Sequence, residues 1–508
     1  MYEIVLSGPL TEFSDYNLNA FIAFAAGFPS KIIPRRLLRR HLYPPTEYDE
    51  RGVVKFAPYG LRKIETILQD EFGEDKVATI FPEKLPEVIN EKTKVVGLTL
   101  HDPLGLAYVS TTYSSLVGFG SVPITAMETK IFFDMLKKLK KRYGFKVIAG
   151  GVGAWQIADM NLQDEMMIDT IVIGDGEEIA ADLFKKALKG EKLPRVVKAI
   201  TKDMDKVPTI RRPVLYGAVE ITRGCGKGCA FCAATMRRRY SFPMDKIMKE
   251  VEINARNGTK MIMLVTEDIF LYQSLPGFKP NREALEKLIK RIASTPGIEY
   301  VQVTHSSWPA VVYDPKALEV ISPILYEKTF WEIRGKRYIG AIIGIESGSV
   351  RLMTKYMRGK AKPLSIEKWP EIVVEGVGIY NDNQWYPGGT IILGMPGETE
   401  DDALRTLELV DDLKDYMVVL IPLLFVPITG ALLQNASRVS LKNLGEIYWE
   451  IIWKCWRHNM VKFAPEYERK VRAVVPFVLP YYLYYHGRYG VRALLGLSGL
   501  LKENGWKT

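Results

Sequence analysis

Two successive runs of alternating strand and helix, followed by an aromatic helical tail, predict an α/β protein built from three parts. Short apolar runs of strand length recur between helical stretches over residues 1–190 and again over 214–440. Such alternation means parallel strands joined by right-handed crossovers, the first run reading as a doubly wound sheet. A length of 508 residues with a 47% hydrophobic fraction supplies several cores, and no low-complexity tract argues for disorder.

Residues 2–6 read as the first strand and 59–72 as the helix that follows it. Further strands are expected at 77–81, 94–100, 146–149 and 170–173, with helices at 127–143 and 177–188. Parallel sheets bind ligands at the carboxyl ends of their strands, which here carry Gly150, Gly151, Gly153, Gly174, Gly176 and Glu177. The Lys-, Arg- and Pro-rich stretch 191–213 reads as a linker. Gly217-Ala-Val-Glu-Ile-Thr-Arg then opens the second run, with strands at 261–265, 300–303, 340–345, 389–393 and 416–424. Helices at 245–256, 281–294 and 401–414 alternate with them. The third part, 441–508, combines Tyr448-Trp-Glu-Ile-Ile-Trp with a later tyrosine- and leucine-rich stretch.

Three of the four cysteines fall within eight residues, as Cys225-Gly-Lys-Gly-Cys229-Ala-Phe-Cys232, directly after an apolar run. Three thiolates can hold three irons of a [4Fe–4S] cube and leave the fourth open to a ligand, whereas four would make an electron carrier. A structural zinc site wants four ligands, and no second Cys or His pair lies nearby. Four cysteines in so long a chain suggest a reducing compartment, which disfavours a disulfide. Cys455 is too distant in sequence to be taken as a fourth ligand and reads as a buried apolar residue.

The spacing Cx3CxΦC, with Phe231 as the aromatic before the last cysteine, resembles the signature of the radical S-adenosylmethionine (SAM) superfamily. The resemblance implies that Cys225, Cys229 and Cys232 ligate a [4Fe–4S] cluster whose open iron is chelated by SAM. It further implies reductive cleavage of SAM to a 5′-deoxyadenosyl radical that takes hydrogen from an unactivated carbon. The second strand–helix run is then a partial (β/α)6 barrel with its chemistry at the carboxyl ends of the strands. Family positions place Thr266, Glu267 and Asp268 near the methionine amine of SAM, and Glu346 and Ser347 at its ribose hydroxyls. Gly394 and Glu398, in a Gly-rich turn, lie where backbone approaches the adenine. Phe231 packs near the cluster or the adenine, or is ordinary core. Each motif alone is common punctuation; their order behind the cysteine loop gives the assignment its weight. Arg223, Lys227, Arg237, Arg238 and Arg239 make the loop basic, and Arg358 and Lys360 stand where they could pair with the SAM carboxylate or a substrate phosphate.

The first run, with Val-Ile-Ala-Gly150-Gly151 and Ile-Gly174-Asp-Gly176-Glu177, resembles the Rossmann-like cobalamin-binding domain fused ahead of many radical SAM proteins. It departs from the Asp-x-His-x-x-Gly motif. His101 is the nearest histidine, and Thr99 stands where Asp would. The resemblance leaves both cobalamin binding and an empty version of the fold open, and His101 reads equally as a contact to a ligand or a turn residue.

The tail interleaves aromatic and apolar residues with arginine in a chain of formal net charge +10. That pattern reads either as a surface docking on anionic lipid or as a cap burying its own apolar face. No RNA-binding module is legible, so nucleic acid is not expected as a partner. No signal peptide or bilayer-length apolar run is evident, which predicts a cytoplasmic protein, peripheral to the membrane if the tail docks. A Lys-, Arg- and Glu-rich composition is compatible with a thermophile. Two activities follow from the resemblance. One is carbon–carbon bond formation on an isoprenoid lipid, as in archaeal relatives that build tetraether membranes. The other is cobalamin-dependent methylation of an unactivated carbon. Either needs a low-potential donor of the ferredoxin or flavodoxin type.

Overall fold

A computed structural model describes residues 2–19, 21–31, 33–117 and 121–500, so residues 501–508 of the expected C-terminal part lie outside the described residues. The chain divides into two compact units, Met1–Val219 with Asp245–Ile262, and Glu220–Met244 with Met263–Thr508.

The first unit is built on a six-stranded sheet of Ile4–Ser7, Val77–Thr79, Val95–Thr99, Lys146–Gly150, Thr170–Gly174 and Val196–Ala199. All its pairings are parallel and the order is 2-1-3-4-5-6. Successive side chains of a strand point to opposite faces, and here both faces are covered. Ile4, Leu6, Val95 and Val172 pack with Leu61, Leu68 and Phe184 on one side. Val5, Val96, Val147 and Ile171 pack with Phe132, Phe133 and Leu136 on the other. Helices Tyr59–Phe72 and Ala180–Leu188 cover the first face and Ile124–Tyr143 the second. The expected linker is not all linker: Val196–Ala199 forms the sixth strand, so the sheet runs past residue 190.

Helix Met244–Arg256 packs with this unit through a buried carboxylate. Glu250 pairs with Lys63, accepts from the Tyr59 hydroxyl at 2.7 Å and from the Ile210 amide at 3.1 Å, and both ion-pair side chains are almost fully buried. Removing one partner of such a pair strands the other charge. Glu250→Ala is therefore expected to destabilise the protein by about 3–5 kcal/mol, measured by urea unfolding. A loss below about 1 kcal/mol, the range of exposed pairs, would mean that Lys63 reaches water.

The second unit holds a barrel wall of parallel strands. The Ile221 amide donates to the Val265 carbonyl at 3.0 Å and Thr304 to Leu264 at 3.2 Å, which sets the cysteine-bearing strand, Met261–Val265 and Tyr300–Val303 side by side. A parallel bridge from His305 to Ile342 continues the wall into Ile342–Glu346, Gly388–Leu393 and Val419–Leu424. Helices Arg282–Ala293, Val350–Met357, Trp369–Asp382 and Glu400–Asp412 alternate with the strands. Two further helices, Glu446–Phe463 and Glu468–Leu497, pack on each other and make the expected helical C-terminal part. Cys455 lies fully buried in the first of them, as an apolar residue would.

Candidate active site

Everything singled out at the cysteine loop lies in the second unit, at the carboxyl ends of its strands. The loop follows Thr222–Arg223 and is pinned along its length. The Ala230 amide donates to the Tyr356 carbonyl at 2.8 Å, and the Thr235 hydroxyl donates to the carbonyls of Cys229 and Cys232 at 3.1 and 3.0 Å. A Cβ built on Gly359 would stand 2.0 Å from the Lys227 carbonyl, so only glycine lets the loop seat against this segment.

All three cysteines are free thiols; Cys225 and Cys229 are buried and Cys232 is half-buried. Burial pushes the Cys225 thiol up and the Cys229 thiol up to about 12, against the nearby charges of Lys227 and Lys360 respectively. No three His, Cys, Asp or Glu side chains among the described residues converge on a single ion position. Three thiols on one short loop are the donor set of a cube that leaves one iron open. Phe231 is half-buried between the second and third cysteines.

Above the loop, Lys360 and Glu346 form an ion pair at 2.8 Å, with 18% and 7% of their side chains exposed. Burial pulls Lys360 down, but Glu346 and the adjacent thiols outweigh it, and its pKa is raised. Three features shape the pair. Glu346 has φ 64°, in the left-handed region, at a register shift of the strand pairing. Trp369 secures that bend by donating to the carbonyls of Ile345 and Ser347, both at 3.1 Å. Gly344 leaves the space, since a Cβ there would lie 1.8 Å from a Glu346 oxygen. Lys360 thus pairs within the wall, and the second Glu346 oxygen accepts from Thr390 at 3.3 Å.

The remaining expected SAM contacts divide into committed and open groups. Asp268 is committed, accepting from Lys227 at 2.9 Å, Ser307 at 2.6 Å and the Phe270 amide at 3.1 Å. Thr266 is buried against the Thr222 hydroxyl at 2.6 Å. Ser347 is fully buried and bonds Thr406 and the Ser349 amide, so its hydroxyl braces the Glu346 bend from within the wall. Glu267 is open on one side. Its Oε1 accepts from the Gly224 amide at 3.1 Å, while Oε2 is buried without a hydrogen-bond partner among the described residues. Glu398 is similar, with Oε2 accepting from the Gly394 and Met395 amides at 2.5 and 2.9 Å and Oε1 unpartnered among the described residues. Burial drives its pKa up to about 7 despite those two amides. Buried acceptors without donors call for a ligand that brings N–H or O–H groups, and SAM brings both.

Of the basic residues, Arg223 forks onto Glu220 with both bonds at 2.7 Å, and Arg239 lies over the Phe278 ring at 5.0 Å. Sequence reasoning missed His305. It sits two residues past the strand Tyr300–Val303, and Nδ1 lies 3.1 Å from the Thr266 carbonyl. A carbonyl only accepts, so Nδ1 carries the proton and Nε2 keeps its lone pair. Desolvation by the surrounding residues lowers its pKa. A histidine just beyond a barrel strand was the available signal.

In the first unit, the residues expected around cobalamin are engaged by their own chain. A Cβ on Gly151 would lie 2.6 Å from the Leu100 carbonyl oxygen, on Gly153 2.1 Å from that of His101, and on Gly174 2.1 Å from that of Ala199. Gly176 faces Ile64, Gly150 only Val172, and Glu177 accepts from Thr201 at 3.1 Å. His101 is exposed, and its amide donates to the half-buried Glu12 carboxylate at 2.7 Å, across the switch point between the first and third strands. Gly151, Gly153 and Gly174 thus let the strand-end turns close against neighbouring backbone.

Residues 219–410 match the model of the Radical SAM superfamily, a family that implies a [4Fe–4S] cluster and SAM as cofactors. The chain is 27% identical over 230 residues to the ribosomal protein uS12 methylthiotransferase RimO of Flavobacterium johnsoniae, covering 44% of this chain and 47% of the relative. It is 27% identical over 247 residues to a tRNA-2-methylthio-N(6)-dimethylallyladenosine synthase of Magnetococcus marinus, covering 46% and 49%. The match thus spans about half the length of each curated relative. Among solved structures, the fold is similar to that of the radical S-adenosylmethionine methyltransferase TsrM from Kitasatospora setae, solved with cobalamin and a [4Fe–4S] cluster bound. That likeness has a TM-score of 0.53 at 14% identity and covers 85% of this chain and 77% of TsrM. TsrM with tryptophan and a SAM analogue gives 0.56 at 15%, covering 85% and 76%.

Proposed function

We propose that this chain is a radical SAM enzyme that takes hydrogen from an unactivated carbon of an isoprenoid-type lipid and joins that carbon to another. The observation that carries the enzyme reading is the trio of free thiols beneath the Lys360–Glu346 pair. When bound there, a [4Fe–4S] cluster and SAM supply a one-electron route to C–H bonds that no acid–base group can ionise. The chain's own residues do the rest. Cys225, Cys229 and Cys232 would hold the cluster, with the Lys227–Asp268 and Lys360–Glu346 pairs beside it. Glu267 offers one free carboxylate oxygen. Glu398, with a pKa near neutrality, is both acceptor and donor at pH 7.

A second reading, methyl transfer to an unactivated carbon, is supported by the 2-1-3-4-5-6 sheet ahead of the cysteine loop and by the likeness to TsrM over most of the chain. The lipid reading draws instead on the apolar C-terminal helix. One experiment separates them: anaerobic turnover of the reconstituted protein with SAM, reductant and an archaeal lipid extract, followed by mass spectrometry. Coupling gives 5′-deoxyadenosine alone and a lipid lighter by hydrogen. Methyl transfer gives S-adenosylhomocysteine beside it and a lipid heavier by one methylene. Cleaved SAM with unchanged lipids removes the lipid substrate and leaves the radical SAM reading standing.

A further inference from the structure

The helix Glu468–Leu497 has two unlike faces. Val475 and Tyr482 are buried, and His486 packs against Trp449 of the preceding helix at 5.1 Å between ring centroids. At 100° per residue, Lys470, Val474, Phe477, Pro480 and Tyr484 fall on the opposite face. Phe477 and Tyr484 are each 82% exposed and Val474 is 51% exposed, values that no packed face would show. We infer that this ridge is a docking surface for an anionic lipid bilayer, lying in its interface without crossing it.

Charge selects the occupant. From Arg469 to Leu500 the sequence holds five arginines and lysines and no aspartate or glutamate; Glu468 just before them pairs with Arg472, and Arg492 pairs with Glu446. Arg469, Lys470 and Arg472 precede the ridge, and Arg488 follows it beyond a kink at Gly487. Glu468 neutralises Arg472 within the helix, so Arg469 and Lys470 before the ridge and Arg488 after it are the cations left to face a partner, and a second copy would bring like charge to both ends. An anionic headgroup layer instead satisfies both ends at once, with Phe477 entering the acyl boundary and the tyrosines at headgroup level. The prolines agree. Pro476 and Pro480 withhold the N–H groups that the carbonyls of Arg472 and Pro476 would accept, which a wet interface tolerates and a dry protein interface does not. Among the described residues no helix is long and apolar enough to cross a membrane. The inference does not depend on which reaction the enzyme performs.

Co-sedimentation of the full chain tests it, with vesicles of equal parts phosphatidylcholine and phosphatidylglycerol against vesicles of phosphatidylcholine alone. Binding is expected only with phosphatidylglycerol present. It should fall by at least about tenfold in Phe477→Glu/Tyr484→Glu, and about fivefold per cation in Arg469→Gln and Lys470→Gln. Both ridge residues point to solvent, so the variants should keep the wild-type circular dichroism spectrum and iron content. Binding that ignores phosphatidylglycerol, or that the ridge variant retains, overturns the inference. So does a lipid-free dimer that the ridge variant abolishes, since the ridge would then belong to a second copy.

Discussion

A Cys229→Ala variant loses its iron–sulfur cluster and, with it, reductive cleavage of SAM, by at least about a hundredfold. Disturbing even the outer partners of a metal site costs about 10–100-fold, and Cys229 is proposed as a direct ligand. Its position leaves no neighbour to take over: it is buried, its carbonyl is held by Thr235, and the next residue's amide is tied to Tyr356. Iron and sulfide content of the reconstituted protein, together with 5′-deoxyadenosine release under dithionite, measure the effect. Cys455→Ser is the matched control, because that thiol is buried in a helix of the C-terminal part. If Cys229→Ala keeps its cluster, the three-cysteine assignment fails; if Cys455→Ser loses it, a fourth ligand has been overlooked.

The second large effect is expected at the ion pair above the loop. Lys360→Met leaves the Glu346 carboxylate in the wall with only the Thr390 hydroxyl, a single bond at 3.3 Å. Removing one partner of a buried pair costs about 3–5 kcal/mol, whereas replacing both is often neutral. Urea unfolding of the cluster-free protein should therefore show a marked loss in Lys360→Met and recovery of most of it in Lys360→Met/Glu346→Gln. The reconstituted single variant should also have a lower reduction potential, since a positive charge beside the thiols has gone. Equal stability of wild type and single variant would mean that water reaches the pair. An unchanged potential would mean that Lys360 does not sense the cluster.

Much of this architecture was readable from the chain because the signals are local. The helix Tyr59–Phe72 and the strands Met261–Val265 and Tyr300–Val303 fall where periodicity and punctuation set them. Val196–Ala199 escaped because it is an edge strand with alternately exposed residues, so it lacks the apolar run that marks the others. The cysteines were legible because the ligands sit within one loop. Asp268 was read as a SAM contact because nothing local shows that Lys227, 41 positions away, and Ser307 occupy it. Lys360 and Glu346 were both noticed, but their pairing depends on the bend at Glu346 and the space left by Gly344. His305 went unread for the same reason: its meaning comes from the Thr266 carbonyl on a neighbouring strand.

The assignment of helix Met244–Arg256 to the first unit bears on how the chain matures. Domains tend to fold as units while they emerge from the ribosome. The first unit includes Asp245–Ile262, so it has no complete core until that segment has been synthesised. Glu220–Met244, carrying all three cysteines, is by then an excursion anchored at both ends, while most of the barrel strands are still unmade. The cysteine loop is thus made and tethered before most strands of its own unit exist. Gly388–Leu393 and Val419–Leu424 complete the sheet last.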